Sequence, residues 1–222
     1  MTPFNRREIL SLGAALALTT GSARSAEKWI EGKHYFRVES PPAPTAGTVT
    51  VTEIFSYGCP ACNDFLPFMQ SLEKKLAGAA VVEYLHASWI AAEDWPVLQR
   101  AHITAKALGI EKKTHEAMFS AIWKTGELAV TDPRTGRPKS PLPSIQDMAK
   151  FYQRVAAVPT AMFLDTAKSF SVDSEIRRTD ALIKTFRADS TPTIIVNGKY
   201  RLEPRSAGGT QQAVDLTLSL AR

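Results

Sequence analysis

An α/β fold is predicted, with a mixed central sheet interrupted by a helical insertion of about 100 residues. Three observations predict it. The β-branched run Thr48–Phe55 is followed by helical spacing and then by a second apolar run, Val81–His86, and parallel neighbours of this kind need a crossover helix. From about Glu93 to Ala188 the apolar residues recur mostly at helical intervals. Two short β-rich segments, Thr193–Val196 and Lys199–Leu202, then flank Asn197-Gly198, a two-residue hairpin signal.

The elements follow in order. Arg6 and Arg7 precede an apolar stretch, Ile9–Ala17, and then small residues around Gly21-Ser22-Ala23 and Ser25-Ala26. This is the layout of a cleaved export signal over residues 1–26, with an apolar core too short for a membrane span. Cleavage is expected between Ala23 and Glu27. The paired arginines fit either a twin-arginine route or the general secretory route. His34–Val38 reads as a short strand, and Pro41-Pro42-Ala43-Pro44 as a link to the central strand Thr48–Phe55. Pro60 suits a first helical turn, where its missing N–H is harmless. Phe65, Phe68, Leu72 and Leu76 continue that helix, and Pro67 inside it predicts a kink. Leu98, Ile103, Ala107 and Leu108 mark a helix stopped by Gly109. Ala117, Met118, Ala121 and Ile122 mark the next. Residues 125–143 hold glycines and prolines and read as a loop. Ser144 caps a helix through Met148, Phe151 and Val155. Pro159–Ala188 reads as two helices broken near Ser169–Asp173, and Thr210–Leu220 as the closing helix.

The chain has 222 residues and a formal charge of +5. Removing residues 1–26 takes away Arg6, Arg7, Arg24 and Glu8, which leaves +3, too mild a balance to argue for nucleic acid. A hydrophobic content of 44% is ordinary for a soluble globular protein.

Chemistry concentrates in Cys59-Pro60-Ala61-Cys62, which holds the only two cysteines. The pair is too close in sequence to close a long loop, so reversible chemistry is a better reading than stapling. A strand ending at a CxxC that opens a helix is the sequence form of a thioredoxin-like redox site. Cys59 falls where first-turn N–H groups and the helix dipole favour negative charge, so its thiolate is expected to be stabilised. Cys62, one turn further in, is expected to be more buried and to act as the resolving sulfur. Glu53 shares a strand face with Val49, Val51 and Phe55. Buried beneath the site, it would hold a raised pKa and relay a proton to Cys62. Tyr57, Trp89 and Trp95 fit either an apolar peptide groove or simple packing. No metal is expected: zinc needs four ligands, and His34, His86, His102 and His115 are scattered along the chain. No haem is expected either, since residue 63 is Asn.

The segments Phe55-Ser56-Tyr57-Gly58-Cys59-Pro60-Ala61-Cys62 and Ser190-Thr191-Pro192-Thr193-Ile194-Ile195-Val196-Asn197-Gly198-Lys199-Tyr200 together resemble the DsbA-type periplasmic thiol–disulfide oxidoreductases. The resemblance covers nearly the whole chain from Glu31 onward. It implies a thioredoxin fold in two parts, residues 27–87 and 189–222, around a helical insertion at 88–188. It further implies a cis Thr191–Pro192 peptide facing the cysteines, where the Thr191 backbone can pair with an extended substrate strand. The implied activity is donation of the CxxC disulfide to unfolded or reduced exported proteins in the periplasm. The implied re-oxidant is a quinone-linked membrane oxidase of the DsbB type, and the enzyme is expected to be a monomer without a cofactor. One position departs from the pattern: many oxidases of this family carry histidine where this chain has Ala61. The competing readings are a disulfide reductase or isomerase, and a redox-inert metal- or peptide-binding protein. Only about 22 residues separate the expected cleavage site from Thr48, too few for the dimerisation domain of related isomerases.

Overall fold

The computed structural model describes residues 29–42 and 47–222. The expected export signal and part of the proline-rich link lie outside these residues. Five strands among the described residues, β1 (Phe36–Arg37), β2 (Val49–Phe55), β3 (Ala80–His86), β4 (Thr193–Val196) and β5 (Tyr200–Leu202), form one sheet in the order β1-β5-β4-β2-β3. β2 runs parallel to β3, with Val49 opposite Ala80 and Phe55 opposite His86. On its other side it is antiparallel to β4, with Glu53 opposite Ile194. Helices pack on the sheet around this central strand, and Val51 through Phe55 are all buried, so its residues do not alternate between core and solvent.

Local chemistry explains the turns. Asn197 and Gly198 have φ of 55° and 65°, as a type I′ turn requires, and Lys199 N–H closes onto Val196 O at 2.9 Å. The Asn197 carboxamide also accepts from Thr50 N–H at 3.0 Å and fastens the hairpin to β2. At the N-terminal end of the described chain, Ile30–Tyr35 close a turn instead of extending. The expected strand His34–Val38 is therefore only Phe36–Arg37.

Helix α1 (Pro60–Leu76) connects β2 to β3 and runs through Pro67 without interruption. Between β3 and β4 the chain forms α2 (Trp95–Ala107), α3 (Glu111–Phe119), α4 (Ile145–Ala156), α5 (Thr160–Ala167) and α6 (Phe170–Thr185). A π-helical turn, Ser120–Lys124, continues α3. Ser144 and Asp147 form a reciprocal capping box at the start of α4, a device that contributes about 1 kcal/mol. Ser169 caps α6 by accepting from Val172 N–H, so the break with α5 falls at Lys168–Ser169. A short helix, α7 (Pro204–Ala207), precedes α8 (Thr210–Leu220), which packs against α1 and β4. α2 and α6 contact β3, which seats the inserted helices beside the end of β2 that carries the cysteines. No helix of the described residues is long and apolar enough to cross a membrane.

Candidate active site

Strand β2 ends at Phe55, and a tight turn delivers the chain to α1. Ser56 organises that turn. Its carbonyl accepts from Cys59 N–H at 3.1 Å, and its hydroxyl accepts from Gly58 N–H at 3.1 Å. Cys59 is thereby the N-cap of α1, in extended conformation, with Pro60 opening the helix. Pro60 and Ala61 are exposed, whereas Cys59 and Cys62 are buried, both as free thiols.

The two sulfurs are electrostatically unlike. The Cys59 pKa is brought down from 9.0 to about 6. The largest cause is the Cys62 thiol, which donates to the Cys59 sulfur; the Thr191 side chain and the backbone N–H groups of Cys62 and Ala61 add to it, against the cost of burial. Burial pushes the Cys62 thiol well up, and its bond to Cys59 and the charge of Glu53 push it further. Glu53, 3% exposed, is held well above the ordinary carboxylate range by burial first, then by Cys59 and Glu73. It is a protonatable group inside the core and within electrostatic reach of both sulfurs.

The second half of the site arrives from β4. The Thr191–Pro192 peptide is cis, and Thr191 O accepts from Cys59 Sγ at 3.5 Å. Beside them lies a groove of about 780 Å³ whose lining includes Ala61, Phe65, Ser190, Thr191, Pro192 and Arg201. The structure thus brings together Cys59, Cys62, Pro60, Ala61, Glu53, Thr191 and Pro192. Of the three aromatics weighed for a groove, Tyr57 and Trp95 are buried and only Trp89 is exposed.

Sequence reasoning missed what lies behind the turn. His86, His102 and His115 are scattered in sequence but converge on Phe55 and Tyr57. All three rings are buried, and burial depresses each pKa, to about 3 for His86 and His115. Among the described residues no group of three or more His, Cys, Asp or Glu is arranged to hold a metal ion. Ser56 was also missed, although a hydroxyl residue two before a glycine is a recognisable turn signal. Nothing in the local sequence marks the histidines.

Fold and site together define a thioredoxin-class dithiol protein. The family model described as Thioredoxin matches residues 44–216. The thiol:disulfide interchange protein DsbA of Pseudomonas aeruginosa is 30% identical over 212 residues, covering 95% of this chain and 93% of the relative. That of Pseudomonas syringae pv. tomato is 33% identical over 213 residues, covering 95% and 92%. The crystal structure of DsbA from Xylella fastidiosa superposes with a TM-score of 0.73 at 27% identity, covering 86% of this chain and 94% of that one. The chain belongs to the DsbA-type thiol:disulfide oxidoreductases.

Proposed function

We propose that this oxidoreductase is a periplasmic dithiol oxidase that donates a Cys59–Cys62 disulfide to newly exported proteins. The observation that carries the reading is the asymmetry of the sulfurs: Cys59 is held to about 6 at the helix start, while Cys62 is pushed well up in the core. A substrate thiolate attacks the Cys59 sulfur of the oxidised pair. The S–S bond to Cys62 breaks, and a mixed disulfide forms through Cys59. The departing Cys62 sulfur is a poor thiolate in its buried setting and takes a proton, for which Glu53 is the nearby protonated acid. A second substrate thiolate then attacks the substrate sulfur of the mixed disulfide, and Cys59 leaves as a stabilised thiolate. The substrate loses two electrons as two thiols become a disulfide, and the enzyme pair gains them. Because the reduced form is favoured, the enzyme gives its disulfide away readily.

Thr191, whose carbonyl faces Cys59, offers backbone pairing to an extended substrate chain, and Pro192 joins it to the start of β4. Export through an N-terminal signal and action as a monomer complete the proposal. Re-oxidation is assigned to a quinone-linked membrane oxidase of the DsbB type, with no cofactor bound to the protein itself. The test is oxidation of a reduced, unfolded substrate by the oxidised protein. Cys59→Ser is expected to abolish it, and Cys62→Ala to accumulate mixed disulfides through Cys59. Accumulation of adducts by Cys59→Ser and not by Cys62→Ala would reverse the nucleophile assignment. A wild-type protein that catalyses isomerisation but not net oxidation would favour the isomerase reading.

A further inference from the structure

Tyr57 stands two residues before the nucleophile, and each polar group it carries is held from outside the redox turn. Its N–H donates to His86 Nε2 at 3.0 Å. Its carbonyl accepts from Trp123 Nε1–H at 2.8 Å. Its hydroxyl lies 3.0 Å from His115 Nδ1 and 3.3 Å from His102 Nδ1. The His86 tautomer follows from its partners. Nδ1–H donates to Ala87 O at 2.7 Å, which leaves Nε2 as the acceptor that Tyr57 N–H requires.

The carbonyl bond has the most direct consequence. It fixes the Tyr57–Gly58 peptide plane, whose Gly58 N–H donates to Ser56 Oγ. Cys59 N–H in turn closes onto Ser56 O. Rotation of the held plane would break the Ser56 contact and move Cys59 relative to the first turn of α1. Trp95 packs closely against Gly58, so that an added Cβ would meet Trp95 Nε1 at 2.6 Å. The Trp123 bond holds the other side of the same peptide plane. Trp123 lies in the π-helical turn Ser120–Lys124, and single π turns of this kind occur frequently at functional sites. The widened turn here carries an indole donor from the inserted helices to the loop that bears the nucleophile.

We propose that Trp123, seconded by His86, is a positioning residue for Cys59: it holds the Tyr57–Gly58 peptide so that the inserted helices set the thiol–disulfide equilibrium of the Cys59–Cys62 pair. This rests on the dithiol chemistry proposed above.

The test equilibrates the purified protein with mixtures of reduced and oxidised glutathione and quantifies each redox form by thiol alkylation and mass. The thiolate absorbance of the reduced protein at 240 nm is titrated alongside. Trp123→Phe keeps one aromatic ring and removes the donor together with the pyrrole part of the indole, so its packing loss is read separately in the denaturant midpoint. It is expected to shift the equilibrium constant toward the disulfide form by about threefold to tenfold, the range of one hydrogen bond, and to move the titration to higher pH. His86→Gln retains an acceptor for Tyr57 N–H and is expected to shift both in the same direction by less. Thr217→Val, which removes a buried hydroxyl bond to Ala213 O in α8, serves as the stability control. It is expected to lower the denaturant midpoint and leave the equilibrium constant unchanged. If Trp123→Phe lowers the midpoint but leaves the equilibrium constant and the 240 nm profile at their wild-type values, Trp123 is structural only and the proposal falls. A wild-type protein that reaches no thiol–disulfide equilibrium with glutathione would instead overturn the dithiol reading on which the proposal stands.

Discussion

Replacing Cys62 with alanine removes the largest contributor to the Cys59 thiolate while leaving the first-turn N–H groups and Thr191 in place. A hydrogen bond to a charged group contributes about 1.5–3 kcal/mol, which corresponds to about 1–2 pKa units. The Cys59 titration is therefore expected to rise from about 6 to about 7–8, still below 9.0. At pH 7 the thiolate fraction falls from about nine-tenths to somewhere between about half and about one-tenth. Stability follows the same shift. In the reduced protein the folded pKa lies below the unfolded one, so the thiolate stabilises the fold fully above pH 9, and this is lost as pH falls through 6. At pH 7 the contribution is at most about 1.4 kcal/mol, since solvent at the edge of the sulfur screens part of it. In Cys62→Ala it drops to about a few tenths. The assay is the absorbance at 240 nm against pH for both proteins, with the rate of alkylation by iodoacetamide at pH 6 as a second readout. A wild-type midpoint above 8.5, or a midpoint that Cys62→Ala does not move, would refute the argument.

Ala61→His adds a donor or positive charge near the Cys59 sulfur; it is expected to lower the 240 nm midpoint and move the glutathione equilibrium toward the dithiol form, and an unchanged constant would show that this position does not govern the thiolate. His115 is neutral in the fold, with a pKa of about 3 against 6.5 unfolded, so its favourable contribution is complete above 6.5 and is lost as pH falls toward 3. Wild type is accordingly expected to lose about 2 kcal/mol more than His115→Phe between pH 7 and pH 5, measured by denaturant melts of the oxidised form. Glu53 and Glu111, raised by burial, change stability with the opposite sign, and the difference between the two proteins cancels them. Equal losses would mean that His115 charges freely in the folded protein. Gly58→Ala places a methyl group against Trp95 and is expected to cost about 1–3 kcal/mol in a denaturant melt; an unshifted midpoint would show that the indole yields without strain.

What the sequence by itself determined lies within a few residues of each decision. Asn197-Gly198 specifies its turn because both residues tolerate positive φ, and Pro60 marks a helix start because it lacks the N–H that a first turn leaves unused. The Cys59 asymmetry is of the same local kind, since its largest cause, the Cys62 thiol, stands three residues further along the same helix. Glu53 was placed on a buried face by alternation, but alternation was not the reason for its burial. β2 is central and covered on both faces, so either register would have buried it.

Tertiary structure alone decided the surroundings of the turn. Tyr57 meets His86, His102, His115 and Trp123 across 29, 45, 58 and 66 residues of sequence. No spacing rule spans such distances. The contacts exist because α2, α3 and the π turn are seated beside the end of β2. Thr191 reaches Cys59 across 132 residues for a similar reason: the antiparallel pairing of β4 with β2 brings the loop before β4 to the strand end that carries the cysteines. Patterns of apolar residues say which face of an element is buried; only the packed fold says which polar atom on another element waits there to complete a hydrogen bond.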